Sequence, residues 1–171
     1  MKVNKGRILK KNLRMKSGTC HYCGAIIPLS VNRHFEDFVA GVGVDLIRVK
    51  RVEQAYLRRP VRFMERIFSA REQAFLSQRS FSAAVLAVRF AAKEAVSKAL
   101  GCGIGPVSWN EMEILPGISG IPTVVLCGKA GRVAQEKGIS GIALSLSHDG
   151  PWGIAFAVAY RNQKEEAKGN D

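Results

Sequence analysis

A chain of 171 residues, 47% of them hydrophobic, can bury a real core, which excludes wholesale disorder and makes one domain the default. No apolar run approaches the roughly 20 residues needed to span a bilayer, so a soluble protein without a membrane segment is expected. With 26 Lys and Arg against 14 Asp and Glu the net charge is +12, which calls for an acidic partner: a nucleic acid, a phosphorylated ligand or an acidic protein.

That charge is unevenly spread. Residues 1–40 hold Lys2, Lys5, Arg7, Lys10, Lys11, Arg14, Lys16 and Arg33 against only Glu36 and Asp37, so half of the surplus lies in a leading segment. The segment has neither sustained apolar periodicity nor a secretory signal. Residues 1–36 are therefore expected to form a flexible basic extension, 37–161 the folded domain, and 162–171 a charged tail. Cys20-His21-Tyr22-Cys23 has the spacing of half a zinc site, with His34 a conceivable further ligand, but no second Cys or His pair lies close by, and two free thiols on a flexible basic arm is the favoured reading. Cys102 and Cys127 are isolated, unlike a secreted disulfide framework, and a reducing, cytoplasmic setting is expected.

The domain opens at Phe38 to Ile47, where Phe38, Ala40, Val42, Val44 and Leu46 alternate with Val39, Gly41, Gly43, Asp45 and Ile47 in the period of a strand. Two glycines in the second row allow another backbone or a ligand to come close, and Asp45 stands in that row as a lone carboxylate. A cap for the helix that follows is the simpler role for Asp45. Arg48 to Arg59 reads as a basic helix ended by Pro60. Arg62 to Phe68 continues the mixture of cations and aromatics, and Ser69-Ala70-Arg71-Glu72 is a capping box opening a further helix.

From Ser82 to Leu100 there is no Gly or Pro, and Gly101 stands where a left-handed residue would stop a helix. Phe90, Glu94 and Lys98 follow at spacings of four and share a face, with Arg89 and Lys93 one step round. A carboxylate among alanines with three cations beside it can bind a divalent metal while the cations meet a polyanion. The same Glu94 and Lys98 spacing also makes the ion pair of many solvated helices, worth only about 0.3–0.5 kcal/mol. The turn from Gly101 to Pro106 is rich enough in glycine for backbone amides to approach phosphate. Beyond it, Trp109 to Leu115 and Thr123 to Cys127 read as strands of one sheet and Lys129 to Lys137 as a short helix. The alternation of Ile142 to His148 and of Ile154 to Tyr160 makes a hairpin with His148 at its tip.

Three segments together, Gly41-Val42-Gly43-Val44-Asp45-Leu46, Arg89-Phe90-Ala91-Ala92-Lys93-Glu94-Ala95 with Lys98-Ala99-Leu100-Gly101-Cys102-Gly103, and Leu146-Ser147-His148, resemble the signatures of the holo-acyl-carrier-protein synthases. These are the small bacterial class of 4'-phosphopantetheinyl transferases, and the similarity covers about residues 38 to 160, in order. It implies an α+β fold with an antiparallel sheet packed on a long central helix, and homotrimers with active sites at subunit interfaces. The implied reaction moves phosphopantetheine from coenzyme A to a serine of acyl carrier protein, in support of fatty acid biosynthesis.

By the same resemblance Asp45 and Glu94 would hold Mg2+ and Lys98 would lie by the reacting phosphate, making these three the catalytic set. The serine proton then has two candidate acceptors, Asp45 and water. Arg89, Lys93, His148, Gly101 and Gly103 would hold the nucleotide of coenzyme A. Arg51, Arg62, Phe63 and Arg66 would dock the carrier protein's acidic helix. Three places depart from the family pattern: Cys102 stands where Thr is usual, Ile121 where Lys is frequent, and Asp149-Gly150-Pro151-Trp152 makes a stiffer loop after the histidine than expected. The rival reading from composition is a basic nucleic-acid-binding protein with a CxxC-containing arm.

Overall fold

The computed structural model describes residues 38–78, 81–117 and 120–162, all within the unit His34–Asp171. The expected basic extension with Cys20, Cys23 and His34 lies outside the described residues, as does the charged tail beyond Asn162. Strand β1 (Val39–Arg48) leads into helix α1 (Val49–Arg58), and Pro60 then occupies the first position of α2 (Pro60–Ile67), where its missing N–H costs nothing. Helix α3 (Ala70–Ser77) opens on the anticipated capping box, Ser69 Oγ accepting from Glu72 N and Glu72 Oε2 from Ser69 N. Helix α4 (Ala83–Ala99) is the central element, capped by Ser82 at one end and closed by Gly101 at φ +67°.

After α4 come a single 3₁₀ turn (Trp109–Glu111), β2 (Met112–Pro116), β3 (Pro122–Leu126), α5 (Gly128–Glu136), β4 (Gly141–Asp149) and β5 (Trp152–Tyr160). Antiparallel strands β1, β5 and β4 form one sheet in that order, and β2 with β3 a second. The architecture is thus the expected mixture of helices and antiparallel sheet. Asp149 pairs with Trp152 across the turn of the β4–β5 hairpin, so His148, opposite Gly153, stands one pair back from the tip.

Which face of the sheet packs on α4 is set by small residues. The row Gly41, Gly43, Asp45 of β1 and the row Gly153, Ala155, Ala157, Ala159 of β5 turn inward, against the fully buried Ala91, Ala92 and Ala95 of the helix. Glycine is required here, since a Cβ at Gly41 would collide with the carbonyl oxygen of Ala99, and one at Gly43 with that of Ala95. The larger apolar row faces outward: Val42, Val44 and Leu46 are 50–59% exposed, beside Ile154 and Phe156 of β5.

Substituting Gly43→Ala forces β1 off the helix backbone. The expected cost is about 1–3 kcal/mol, read as a lower urea midpoint at unchanged m-value. An unchanged midpoint would mean that strand and helix do not make this contact in solution.

Candidate active site

Asp45 ends the small-residue row of β1, and α4 presents Glu94 and Lys98 one turn apart beside it. Lys98 Nζ donates to Asp45 Oδ1 and to the carbonyl of Val44, both at 2.8 Å. Glu94 Oε1 accepts the indole N–H of Trp109 at 2.9 Å. Both carboxylates line one open cleft of about 510 Å³, with Arg51 of α1, Phe63 of α2, Phe90 and Trp109 among its other walls. Arg62 and Arg66 are exposed on α2, and the Arg66 guanidinium lies 5.3 Å over the Trp109 ring. The structure therefore brings together the three expected catalytic residues with part of the expected docking set.

The donor chemistry suits a hard, strongly hydrated cation. Asp45 Oδ2 and Glu94 Oε2 accept no hydrogen bond from the described residues. No group of three His, Cys, Asp or Glu able to hold a metal occurs among those residues. An ion held by two carboxylates would complete its shell with water and substrate oxygens, as Mg2+ does when it binds beside phosphates.

The residues expected around the nucleotide are placed differently. Lys93 is fully enclosed, and its Nζ is taken up by Glu72 Oε2 (2.7 Å) and the carbonyls of Trp109 (2.9 Å) and Met112 (2.7 Å). It is a structural cation, and this corrects the expectation that it meets a ligand. Burial pulls its pKa below the ordinary lysine value, against the opposing pull of Glu72.

Arg89 stacks on Phe75, donates to the carbonyl of Ile114 and lines a different cleft, of about 330 Å³, with Ser145 and Leu146 of β4. Its pKa is likewise lowered by burial, with Glu72 pulling the other way. His148, two residues beyond Leu146, is exposed. The amides of Gly101, Cys102 and Gly103 do not point outward as a phosphate cradle: they donate to the carbonyls of Lys98 and Ser97 and close the helix. Cys102 Sγ also approaches the Ser97 carbonyl, at 3.7 Å.

Two residues of the site escaped the sequence reading. Trp109, expected at the start of a strand, stands in the 3₁₀ turn, where Glu111 Oε2 accepts the backbone N–H of Ser108 and the Ser108 carbonyl accepts that of Glu111. That signal, Ser-x-x-Glu, is present in the sequence. Glu72, whose local pattern shows only a helix cap, also accepts from Lys93 and from the amide of Ile114.

Comparison with known proteins finds that residues 41–157 match the family model described as the 4'-phosphopantetheinyl transferase superfamily. The holo-[acyl-carrier-protein] synthase of Desulforudis audaxviator is 43% identical over 130 residues, covering 76% of this chain and 99% of that protein. Among solved structures, the Plasmodium yoelii acyl carrier protein synthase with ADP bound superposes with a TM-score of 0.67 at 33% identity, over 73% of this chain and 97% of that one. The Helicobacter pylori holo-[acyl-carrier-protein] synthase in complex with coenzyme A does so with a TM-score of 0.61 at 29% identity, over 69% and 98%. The nucleic-acid-binding reading draws no support from these similarities.

Proposed function

The chain belongs to the 4'-phosphopantetheinyl transferase superfamily, as a holo-[acyl-carrier-protein] synthase, and on that premise we propose a Mg2+-dependent reaction carried by Asp45, Glu94 and Lys98. Family membership supports transfer of phosphopantetheine from coenzyme A to acyl carrier protein. The carrier serine's hydroxyl oxygen attacks the phosphorus bearing the pantetheine arm, the phosphoanhydride P–O bond breaks, and adenosine 3',5'-bisphosphate leaves while the hydroxyl gives up its proton. The observation that carries the assignment to residues is the single cleft lined by Asp45 and Glu94, with Lys98 bonded to Asp45.

When bound there, Mg2+ would neutralise charge developing on the pyrophosphate. Asp45 and Glu94 would hold it through carboxylate oxygens. Lys98, already aligned on Asp45 Oδ1, would place a second positive charge next to the reacting phosphate. Asp45 also stands as an acceptor for the serine proton, directly or through water. Arg51 and Phe63 on the cleft wall, with Arg62 and Arg66 on α2, would receive the acidic carrier helix where its serine must enter.

Arg89, His148 and the Gly101 to Gly103 turn would border the nucleotide. Arg89 lines a cleft other than that of Asp45 and Glu94, as expected if the coenzyme lies across a boundary between subunits. The outward apolar row of β1 and β5 is a surface on which a homotrimer could form. Among the described residues no helix is long and apolar enough to cross a membrane. The proposed setting is the cytoplasm, and the proposed pathway fatty acid biosynthesis.

The test is mass spectrometry of apo acyl carrier protein incubated with this chain and coenzyme A. A phosphopantetheine-sized gain that appears with Mg2+ and vanishes with excess chelator is expected. No gain with any carrier, and no binding of coenzyme A, would overturn the reading.

A further inference from the structure

We infer that Trp109 is a positioning residue for Glu94, fixing one carboxylate oxygen so that the other is held toward the cation; the inference rests on the function proposed above. A glutamate side chain turns about three bonds, and ordering it opposes ligand binding. Here the indole N–H removes that freedom by donating to Glu94 Oε1 at 2.9 Å. The donor is neutral, so it directs the carboxylate without cancelling the charge that attracts a cation. Asp45 is held differently, by the ammonium of Lys98.

The indole is itself fixed from three directions. Phe90, one helical turn before Glu94, packs on it with ring centroids 5.8 Å apart and planes inclined by 39°. The Arg66 guanidinium covers it at 5.3 Å. Its backbone carbonyl accepts from Lys93 Nζ, which the buried Glu72 carboxylate locks in place. A continuous set of bonds therefore runs from the interior pair Glu72 and Lys93, through Trp109, to the carboxylate that faces the cleft. Outer partners of this kind orient ligands in metal sites, and losing one commonly weakens metal binding by about 10- to 100-fold.

Substituting Trp109→Phe keeps an aromatic ring between Phe90 and Arg66 and removes the N–H together with the rest of the indole's five-membered ring. In the whole 171-residue chain, with Mn2+ as probe in calorimetry, the variant is expected to bind about tenfold more weakly than wild type. The half-saturating Mg2+ for transfer rises by the same factor, a larger change than that in kcat at saturating metal. A folded variant with wild-type Mn2+ affinity overturns the inference.

A second measurement does not depend on that variant folding. In protein labelled with 15N at the indole nitrogen, and carrying Trp152→Phe so that a single indole signal remains, the Trp109 resonance should move on titration with Mg2+. It should also move on Glu94→Ala. A resonance indifferent to both overturns the role of Trp109. Failure of the function reading looks different: the wild-type chain itself would bind no Mn2+ and modify no carrier, and the positioning role would fall with it.

Discussion

Glu94→Ala and Asp45→Ala are each expected to slow transfer by about 10³-fold or more while moving the thermal midpoint by only a few degrees. The asymmetry follows from where the two carboxylates sit. Asp45, 18% exposed, makes an ion pair with Lys98, whose side chain is 47% exposed, so water reaches the pair from the lysine side. Pairs so accessible to water contribute about 0.2–1 kcal/mol. Glu94 accepts one bond from an indole at the wall of an open cleft, and water can replace that partner. Neither carboxylate therefore does much for the fold.

In the reaction the balance reverses, because a pyrophosphate carrying several negative charges must be attacked by a hydroxyl and then release a further anion. Removing one of two carboxylates that would hold the neutralising cation leaves that charge without its main partner. Initial rates at saturating coenzyme A, taken beside calorimetric midpoints, make the comparison. Either variant retaining activity within tenfold of wild type would remove its carboxylate from the proposed site.

Much of this arrangement is legible in the residues, and the exceptions have physical causes. Glycines at 41 and 43 with Asp45 on the same strand row announce a close approach, and the helix from Ser82 to the left-handed Gly101 has both of its ends written in it. The inward face of the sheet is less legible. Hydrophobic size points Val42, Val44 and Leu46 into the core, yet the alanine-rich face of α4 leaves room only for glycine and alanine, so the bulkier row is turned out.

Lys93 shows the other limit. Its position among Ala91, Ala92 and Ala95 marks a packed surface, but its acceptors come from residues 16 to 21 positions away in sequence, on two stretches to either side of the helix. Helical spacing groups Lys93 with Arg89 and says nothing of a carboxylate arriving from α3. Glu72 is similar: its local signature is a helix cap, and its bond to the amide of Ile114 spans 42 residues.

That buried pair is where the largest loss of stability is expected. Lys93→Met should cost about 3–5 kcal/mol, because it leaves Glu72 as an uncompensated charge with no exposure to solvent. It also strips a donor from the carbonyls of Trp109 and Met112. Such a loss is a large share of the roughly 5–15 kcal/mol that holds a domain folded. Glu72→Leu should be comparably damaging, since it orphans the ammonium together with the amides of Ser69 and Ile114.

The double variant, Lys93→Met with Glu72→Leu, should be more stable than the sum of the two losses predicts, by about 0.5–3 kcal/mol, because no lone charge remains inside. It will still fall short of wild type, for the backbone groups the pair served have no new partners. Urea midpoints of the four proteins in one buffer close the cycle, and additive losses would show that the two residues do not act as a pair. Lys93 ties the 3₁₀ turn and β2 to the central helix, so any folded Lys93→Met protein should also bind divalent metal less tightly than wild type. Through this pair the interior bears on the cleft: the charge that seats the second sheet also holds the turn from which Trp109 reaches Glu94.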